Sequence, residues 1–338
     1  MPVPKISIII PVYNAALHIE QCVRSVLNQT MQEIEVIAVN DGSTDDSGNI
    51  LDALAAADQR LQVIHQENKG VSAARNQALQ RSTGIYTAFA DADDYMEPDM
   101  LQELYQAVIT TDSDWAICNV MAIEEGREPA KRLHLTDEVI DITNSRHIFL
   151  HGLMRFNYDN ANWNKLYSTS VIQLNQLRFA EDMTIWEDLL FNLQYLQYVS
   201  KVAIVARPLY NYRILRTALF SGQTKDLIPQ FNKLYKYYLE FAAAKAGSFE
   251  TEAFKTEMSR ITYSQLLHKA EVKVVKEQKG FFSVLSAYSR ELKRIDPSIF
   301  YFPARERKGV QGIKKQLLQN RQFGLFACII AARQQLRK

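Results

Sequence analysis

The chain has 338 residues, enough for one large domain or two, and its 47% hydrophobic and 23% charged content is that of a globular protein able to bury a core. The net charge of +1 hides an asymmetry: residues 305–338 hold nine Lys and Arg against Glu306 alone, net +8, while the other 304 residues hold 30 basic and 37 acidic side chains, net −7. No run approaches the roughly 20 apolar residues that span a bilayer. The three cysteines, Cys22, Cys118 and Cys328, lie far apart and form no CxxC pair, which fits a reducing compartment. A cytoplasmic location is expected, in solution or at the inner face of the cell membrane.

Residues 1–90 alternate strand and helix. Residues 6–10 form a buried strand by composition, and this apolar run, broken by Pro11, is too short for a signal-peptide core. Leu17, Val23, Val26 and Leu27 fall mainly on one helical face. Residues 34–39 read as a second strand, Asp41-Gly42-Ser43 as a turn, and 47–58 as a helix with Ile50, Leu51 and Leu54 at helical spacing. A third strand at 61–64, a helix at 71–81 and a fourth strand at 85–89 come next. This alternation of Ile/Val-rich strands with helices argues an α/β fold with a mainly parallel sheet. Ligands bind at the carboxyl ends of such strands, and there stand Tyr13 and Asn14, Asp41, Asn68 and Lys69, and Asp91 and Asp93.

Further along, 98–109 reads as a helix and 115–120 as a strand. Residues 121–140, with Glu124-Glu125-Gly126 as a turn signal, suit a flap or hairpin. A short helix is expected at 145–152, capped by Asn144 or Ser145. Residues 160–167 are rich in amides and aromatics, 189–199 is helical, and 202–206 is a strand ended by Pro208. From Lys225 long helical periodicity takes over, at 227–245, 249–278 and 281–295. The apolar run 323–332, with Ile313, Leu317, Leu318 and flanking basic residues, suits a membrane interface or a helix packed on the body or a second subunit. The expected organisation is a domain over 1–222, with halves 1–95 and 96–222, and a helical C-terminal region over 223–338.

Asp91, Asp93 and Asp94 place three carboxylates in four residues at a strand end. They repel one another, so a cation is expected among them. Oxygen ligands suit Mg²⁺ or Mn²⁺, held by one or two carboxylates and substrate phosphates; the other reading is a solvated acidic turn. Asp41 is placed to accept from a ribose hydroxyl or a base N–H, or to form an Asx-turn. Lys69-Gly70-Val71-Ser72-Ala73-Ala74-Arg75-Asn76 opens a helix whose first N–H groups, with Lys69 and Arg75, suit phosphate. The GxGxxG and GxxxxGK[ST] fingerprints are absent, which removes the main support for dinucleotide oxidoreductases and P-loop ATPases. Glu187-Asp188 sits in a first helical turn, where acids favour the dipole or supply a general base; only one of the two can face a substrate squarely. Arg213 and Arg216 suit a diphosphate clamp or are a basic pair on a loop.

In order and spacing, Ser7-Ile8-Ile9-Ile10-Pro11-Val12-Tyr13-Asn14, Asn40-Asp41-Gly42-Ser43-Thr44-Asp45, Asn68 to Asn76, Asp91-Ala92-Asp93-Asp94 and Glu187-Asp188-Leu189-Leu190-Phe191 resemble family-2 glycosyltransferases of the GT-A fold, of the bacterial surface-polysaccharide type. The resemblance runs from residue 5 to about 215. It implies an inverting transfer of a hexosyl or N-acetylhexosaminyl group from a nucleotide-diphospho-sugar, a UDP-sugar by preference, usually with Mn²⁺ or Mg²⁺. By position, Pro11, Val12, Tyr13 and Asn14 would line the base and ribose pocket and Asp41 the base edge. Asn68, Lys69 and Ala92 would join the nucleotide site, with Arg75 near base and phosphates. Asp91 would meet the ribose and Asp93 the metal, and Arg213 and Arg216 would clamp the diphosphate. Asp188 would be the base that deprotonates the acceptor, and Glu187 would orient it. Trp163, Asn164 and Lys165 match a Trp-Asn-Lys-Leu stretch of the acceptor half. Asp94 has no role by this reading beyond capping the next segment. The chain departs from the pattern after Arg213, where Thr217 or Ser221 stands for a loop serine.

The partners implied are the sugar-nucleotide donor and a glycan or lipid-linked glycan acceptor, with no nucleic acid. Membrane contact through 305–338 and self-association stay open. A nucleotidyltransferase, or a sugar-nucleotide-binding scaffold without turnover, are the alternatives. A phosphatase using Asp-x-Asp fits less well, since its motif belongs after the first strand.

Overall fold

The structure, a computed structural model, describes residues 4–143 and 160–215 and seven positions between 229 and 237. The chain divides into two compact units, Met1–Gln223 and Thr224–Lys338. The helix expected at 145–152, Arg216, Thr217, Ser221, Cys328, the helices after Lys225 apart from those seven positions, which are helical, and the basic segment 305–338 lie outside the described residues.

The first unit is a mixed α/β structure. Its strands are β1 (Ile6–Val12), β2 (Ile34–Asp41), β3 (Leu61–Gln66), β4 (Tyr86–Phe89), β5 (Tyr95–Met96), β6 (Trp115–Glu124), β7 (Ala130–Lys131), β8 (Glu138–Asp141), β9 (Lys165–Ser168) and β10 (Lys201–Ile214). Its helices are α1 (Ile19–Leu27), α2 (Ser47–Ala57), α3 (Val71–Leu79), α4 (Met100–Thr111), α5 (Thr169–Leu174) and α6 (Glu187–Leu196). The sheet runs β3-β2-β1-β4-β9-β6-β10-β5, with β7 beside β6 and β8 beside β10. Strands β1 to β4 are mutually parallel. The apolar runs of β1 and β2 are buried because helices cover both faces of a parallel sheet. Helix α1 buries Ile19, Cys22, Val23, Val26 and Leu27 at helical spacing. Leu17, expected on that face, stands ahead of the helix and is exposed.

Two features differ from the expected strand pattern, and both position the site. Strand β9 is antiparallel to β4 and β6, pairing Leu166 with Ala88 and Lys165 with Ile117. Residues just before β9 therefore emerge beside the carboxyl ends of β4 and β6. Strand β10 does not end at Pro208. Register shifts between Val205 and Pro208 and between Pro208 and Tyr210 accommodate the proline, and pairing with β6 resumes through Ile214. A bulge tolerates a residue that has no N–H to give the ladder. The continuation carries Tyr210 and Arg213 to the end of β4. Strand β6 likewise runs on to Glu124 and turns into β7 around Gly126, giving the expected hairpin.

Helix α6 is held by aromatic packing. Phe191 stacks on Phe179 at 4.2 Å and meets Phe89 of β4 and Tyr167 of β9 edge-on at 6.0 and 5.8 Å, and Tyr195 meets Tyr167 at 5.0 Å. Such pairs add to the burial of large rings, and they fix where the first turn of α6 lies. No helix among the described residues is long and apolar enough to cross a membrane.

Candidate active site

The strand order reverses between β1 and β4, which opens a crevice at their carboxyl ends. Arg75 of α3 lies under it, 2% exposed. Its Nη1 donates to Asp188 Oδ1 at 2.7 Å and Glu187 Oε1 at 3.2 Å, and its Nη2 donates to Asp91 Oδ1 at 3.0 Å. The guanidinium also covers the Phe179 ring at 5.2 Å. Burial opposes its charge, but Asp188, Asp91 and Glu187 outweigh burial and raise its pKa above the ordinary value. Arg75 was expected near base and phosphates. It is enclosed, and it ties the end of β4 to the start of α6, reaching Asp188 from 113 positions away in the chain.

Asp188 keeps 19% of its side chain exposed. Burial raises its pKa well above the carboxylate range; Arg75 pulls it back, and Glu187 and Asp91 push it up again. Three acids share one cation, so the upward direction holds. Trp186, just before α6, has φ +60°, a left-handed conformation uncommon for a bulky side chain. Strain of this kind concentrates at functional sites, and nothing in the sequence signals it.

The cation expected among Asp91, Asp93 and Asp94 is supplied unequally. Asp91 has Arg75. Asp94, buried, accepts from the Arg213 backbone N–H at 2.7 Å and from the Tyr210 hydroxyl at 3.0 Å. The same hydroxyl accepts from the Asp91 N–H at 3.1 Å. Asp94 is thus a strut between this loop and β10 rather than a cap for the next segment. Burial, then Asp91 and Asp93, raise its pKa well above the usual range. Sequence reasoning missed both Asp94 and Tyr210, whose partners are 116 positions apart. Tyr210→Phe keeps the ring but leaves the Asp91 N–H and one Asp94 oxygen unpaired. It is expected to lose about 1–3 kcal/mol of stability, measured by chemical denaturation; stability equal to wild type would mean that the hydroxyl does not hold this loop.

Among the described residues Asp93 receives no hydrogen bond from another side chain or backbone, and burial followed by Asp91 pushes its carboxyl up to about 6. Nor do any three His, Cys, Asp or Glu side chains among them form a ready metal cage. A divalent site made of one carboxylate and substrate phosphates needs none. A carboxylate that no other described residue hydrogen-bonds fits such an ion.

The remaining residues expected to meet the nucleotide gather at the ends of β1, β2 and β3. Tyr13 is 51% exposed, beside half-buried Pro11 and buried Val12. Asn14 has φ +50°; its Oδ1 accepts from Thr44 N–H at 2.8 Å, and its own N–H donates to Ser43 Oγ at 3.0 Å. Asp41 was expected at the base edge. It is buried, and its oxygens accept from Gln66 Nε2 and from the N–H groups of Lys69 and Gly70 at 2.7–2.8 Å. It therefore organises the turn into α3, whose Asn68 and Lys69 side chains are exposed. Gly42, at φ +70°, is required there, since a Cβ would stand 2.7 Å from the Asn68 nitrogen. Ala92 is buried beside the acids. Arg213 is on β10 rather than a loop; its Nη2 donates to Gln21 Oε1 at 2.7 Å, and Nη1 meets His18 Nδ1 at 3.3 Å. Burial and Arg213 lower the His18 pKa.

The stretch expected to meet the acceptor is internal. Trp163 stacks between Tyr210 and Tyr212 at 4.4 and 5.5 Å. Asn164 Nδ2 donates to the Cys118 carbonyl at 2.8 Å, and Lys165 Nζ donates to the Ala161 carbonyl and Asn164 Oδ1, both at 2.6 Å. All three are buried, so their direct contribution is to hold the site's walls.

The family model described as Glycosyl transferase family 2 matches residues 7–177. The putative glycosyltransferase EpsH of Bacillus subtilis (strain 168) is 33% identical over 238 residues, 70% of this chain and 68% of that protein. The uncharacterized glycosyltransferase EpsJ of the same organism is 34% identical over 218 residues, 62% of this chain and 61% of the relative. Among solved structures, S. aureus TarS 1-349 in complex with UDP-GlcNAc superposes with a TM-score of 0.73 at 18% identity, covering 98% of this chain and 92% of that one. That likeness is one of fold.

Proposed function

The chain belongs to glycosyl transferase family 2 and is a glycosyltransferase, and from that premise we propose an inverting, metal-dependent transfer of one sugar from a nucleotide-diphospho-sugar to a glycan hydroxyl in bacterial polysaccharide synthesis. The observation that carries this reading is the Arg75 bridge, which sets the nucleotide-side acid Asp91 and the candidate base pair Glu187-Asp188 on one guanidinium. A binding scaffold or a nucleotidyltransferase gives no reason for a raised-pKa carboxylate held there.

In this reading the crevice at Tyr13, Asn14 and the Asp41-anchored turn binds the nucleotide. Asp91 meets the ribose, and Arg213 faces the diphosphate. Asp93 would hold Mn²⁺ or Mg²⁺, whose charge supports the departing nucleoside diphosphate. Asp188 takes the proton from the attacking acceptor hydroxyl, a poor nucleophile without a base. Its burial raises its basicity towards that task. Glu187 shares Arg75 and so orients Asp188. Attack opposite the diphosphate inverts the anomeric centre, which agrees with base and metal carboxylates coming from separate elements. UDP-GlcNAc bound to TarS makes UDP-sugars the first donors to try.

The test is incubation with Mn²⁺ and a panel of nucleotide sugars, reading slow donor hydrolysis and transfer to simple glycosides. Turnover of no donor by the wild-type chain would overturn the reading. Asp93→Ala is expected to weaken Mn²⁺-dependent binding of the donor nucleotide by about 10–100-fold, read by calorimetry with and without metal. Unchanged affinity with metal present would remove Asp93 from the assignment.

A further inference from the structure

Helix α1 opens on His18 at its N-cap, and the ring makes no capping bond to the first backbone N–H groups of the helix. Ser, Thr, Asp and Asn are preferred at such a position because they accept from those groups. The His18 side chain turns to β10 instead. Arg213 Nη1 meets His18 Nδ1 at 3.3 Å, and Arg213 Nη2 donates to Gln21 Oε1 at 2.7 Å. A guanidinium has only donors, so Nδ1 is the accepting nitrogen of a neutral imidazole and Nε2 carries the proton. Burial and Arg213 lower the ring's pKa, which favours that neutral form. The guanidinium also lies over the Tyr95 ring at 5.7 Å, and its charge acts on the Asp93 carboxyl. The backbone of the same residue holds Asp94 Oδ1 at 2.7 Å. One turn beyond His18, Cys22 Sγ donates to the Asp91 carbonyl at 3.4 Å, which fixes α1 to this acidic loop. The first turn of α1 and the end of β10 thus meet beside the carboxylates, with Arg213 between them.

We infer that His18 is a positioning residue for the sugar-nucleotide donor, its imidazole and the Gln21 amide oxygen together holding the Arg213 guanidinium beside Asp93, where the diphosphate binds. This rests on the transfer reading above, which puts the diphosphate at Asp93 and Arg213. A free arginine gives up much rotamer freedom when it grips a phosphate. Two acceptors on α1 fix it beforehand, so that cost does not fall on binding. Each terminal nitrogen carries two N–H groups and gives one to α1, which leaves one on each for phosphate oxygens. A residue that forgoes the cap of its own helix to hold a distant cation breaks a local rule, as residues at functional sites do.

His18→Ser is too short to reach Arg213 but can cap α1, so the variant is expected to keep the wild-type melting temperature. In the full chain with Mn²⁺, calorimetry is expected to show UDP bound about fivefold or more weakly. Ligand-observed NMR is expected to show uridine, which has no phosphate, bound within about twofold of wild type; GDP and guanosine take their place if the wild type binds only these. Arg213→Ala should weaken UDP binding further than His18→Ser does. Adding His18→Ser to Arg213→Ala should then change UDP affinity by less than about twofold, because a residue that acts through Arg213 has nothing left to position. Three results overturn the assignment: UDP affinity of the Ser variant within about twofold of wild type, an undiminished loss on the Arg213→Ala background, or parallel loss of uridine and UDP affinity. A wild-type chain that binds neither UDP nor GDP with Mn²⁺ overturns the donor site and this inference with it. A wild type that binds the nucleotide and transfers no sugar overturns the transfer reading, while the His18 and Arg213 cycle still decides the positioning role.

Discussion

Asp188→Asn is expected to bind nucleotide within twofold of wild type and to transfer sugar about 10²–10⁴-fold more slowly, the range that a positioned general base supplies. The substitution preserves size and leaves an oxygen able to accept from Arg75 Nη1, which lies 2.7 Å from the native carboxylate. It removes only the basic site. The pH profile sharpens the test. A base works when unprotonated, so wild-type transfer rises with pH through the apparent pKa of Asp188. Burial raises that value, with Arg75 opposing and Glu187 adding to it, so the acid limb lies above the usual carboxylate range, and the residual activity of the Asn variant lacks it. Single-turnover transfer across pH, with equilibrium nucleotide binding measured beside it, checks both points. Transfer by the variant at near wild-type rate would take Asp188 out of the mechanism.

Arg75→Met is expected to lose about 3–5 kcal/mol of folding stability, because it leaves three half-buried carboxylates without their cation. Asp91, Glu187 and Asp188 all bond this one guanidinium. Methionine fills much of the same volume, so the loss reports charge rather than a cavity. Transfer should fall with it, since the acids that Arg75 draws together would separate. Arg75→Lys restores the charge but not the fork that reaches three acids, so partial recovery is expected. The sign with pH is set by Asp188, whose carboxyl burial raises. Its neutral form needs no cation, so the deficit relative to wild type is smaller at about pH 5 than at about pH 8. Denaturant melts of the three proteins at both pH values measure this. A Met variant as stable as wild type at pH 8 would mean that the acids do not depend on Arg75.

Much of this was present in the sequence alone. Ile/Val runs alternating with helical spacing located β1 to β4; β1 and β2 are buried on both faces, where little else fits, while the edge strand β3 buries only some of its positions. The residues after each run named the crevice, since parallel strands deliver their carboxyl ends to one edge. Glu187-Asp188 stood out at a helix start, and Asp93 within an acid cluster. What periodicity records, however, is whether a residue of its own segment faces the core, not which distant segment it meets there. Arg75 bonds Asp188 from 113 positions away, and Tyr210 and Arg213 reach Asp91 and Asp94 from 119. The tertiary structure alone decided that Arg75 is a bridge and that Asp41 anchors a turn. It also decided that Pro208 is passed by a bulge, and that Trp163, Asn164 and Lys165 brace the walls. Each of these depends on close approach between strands and helices far apart in the chain, where a single guanidinium or hydroxyl satisfies groups whose own neighbourhoods carry no sign of it.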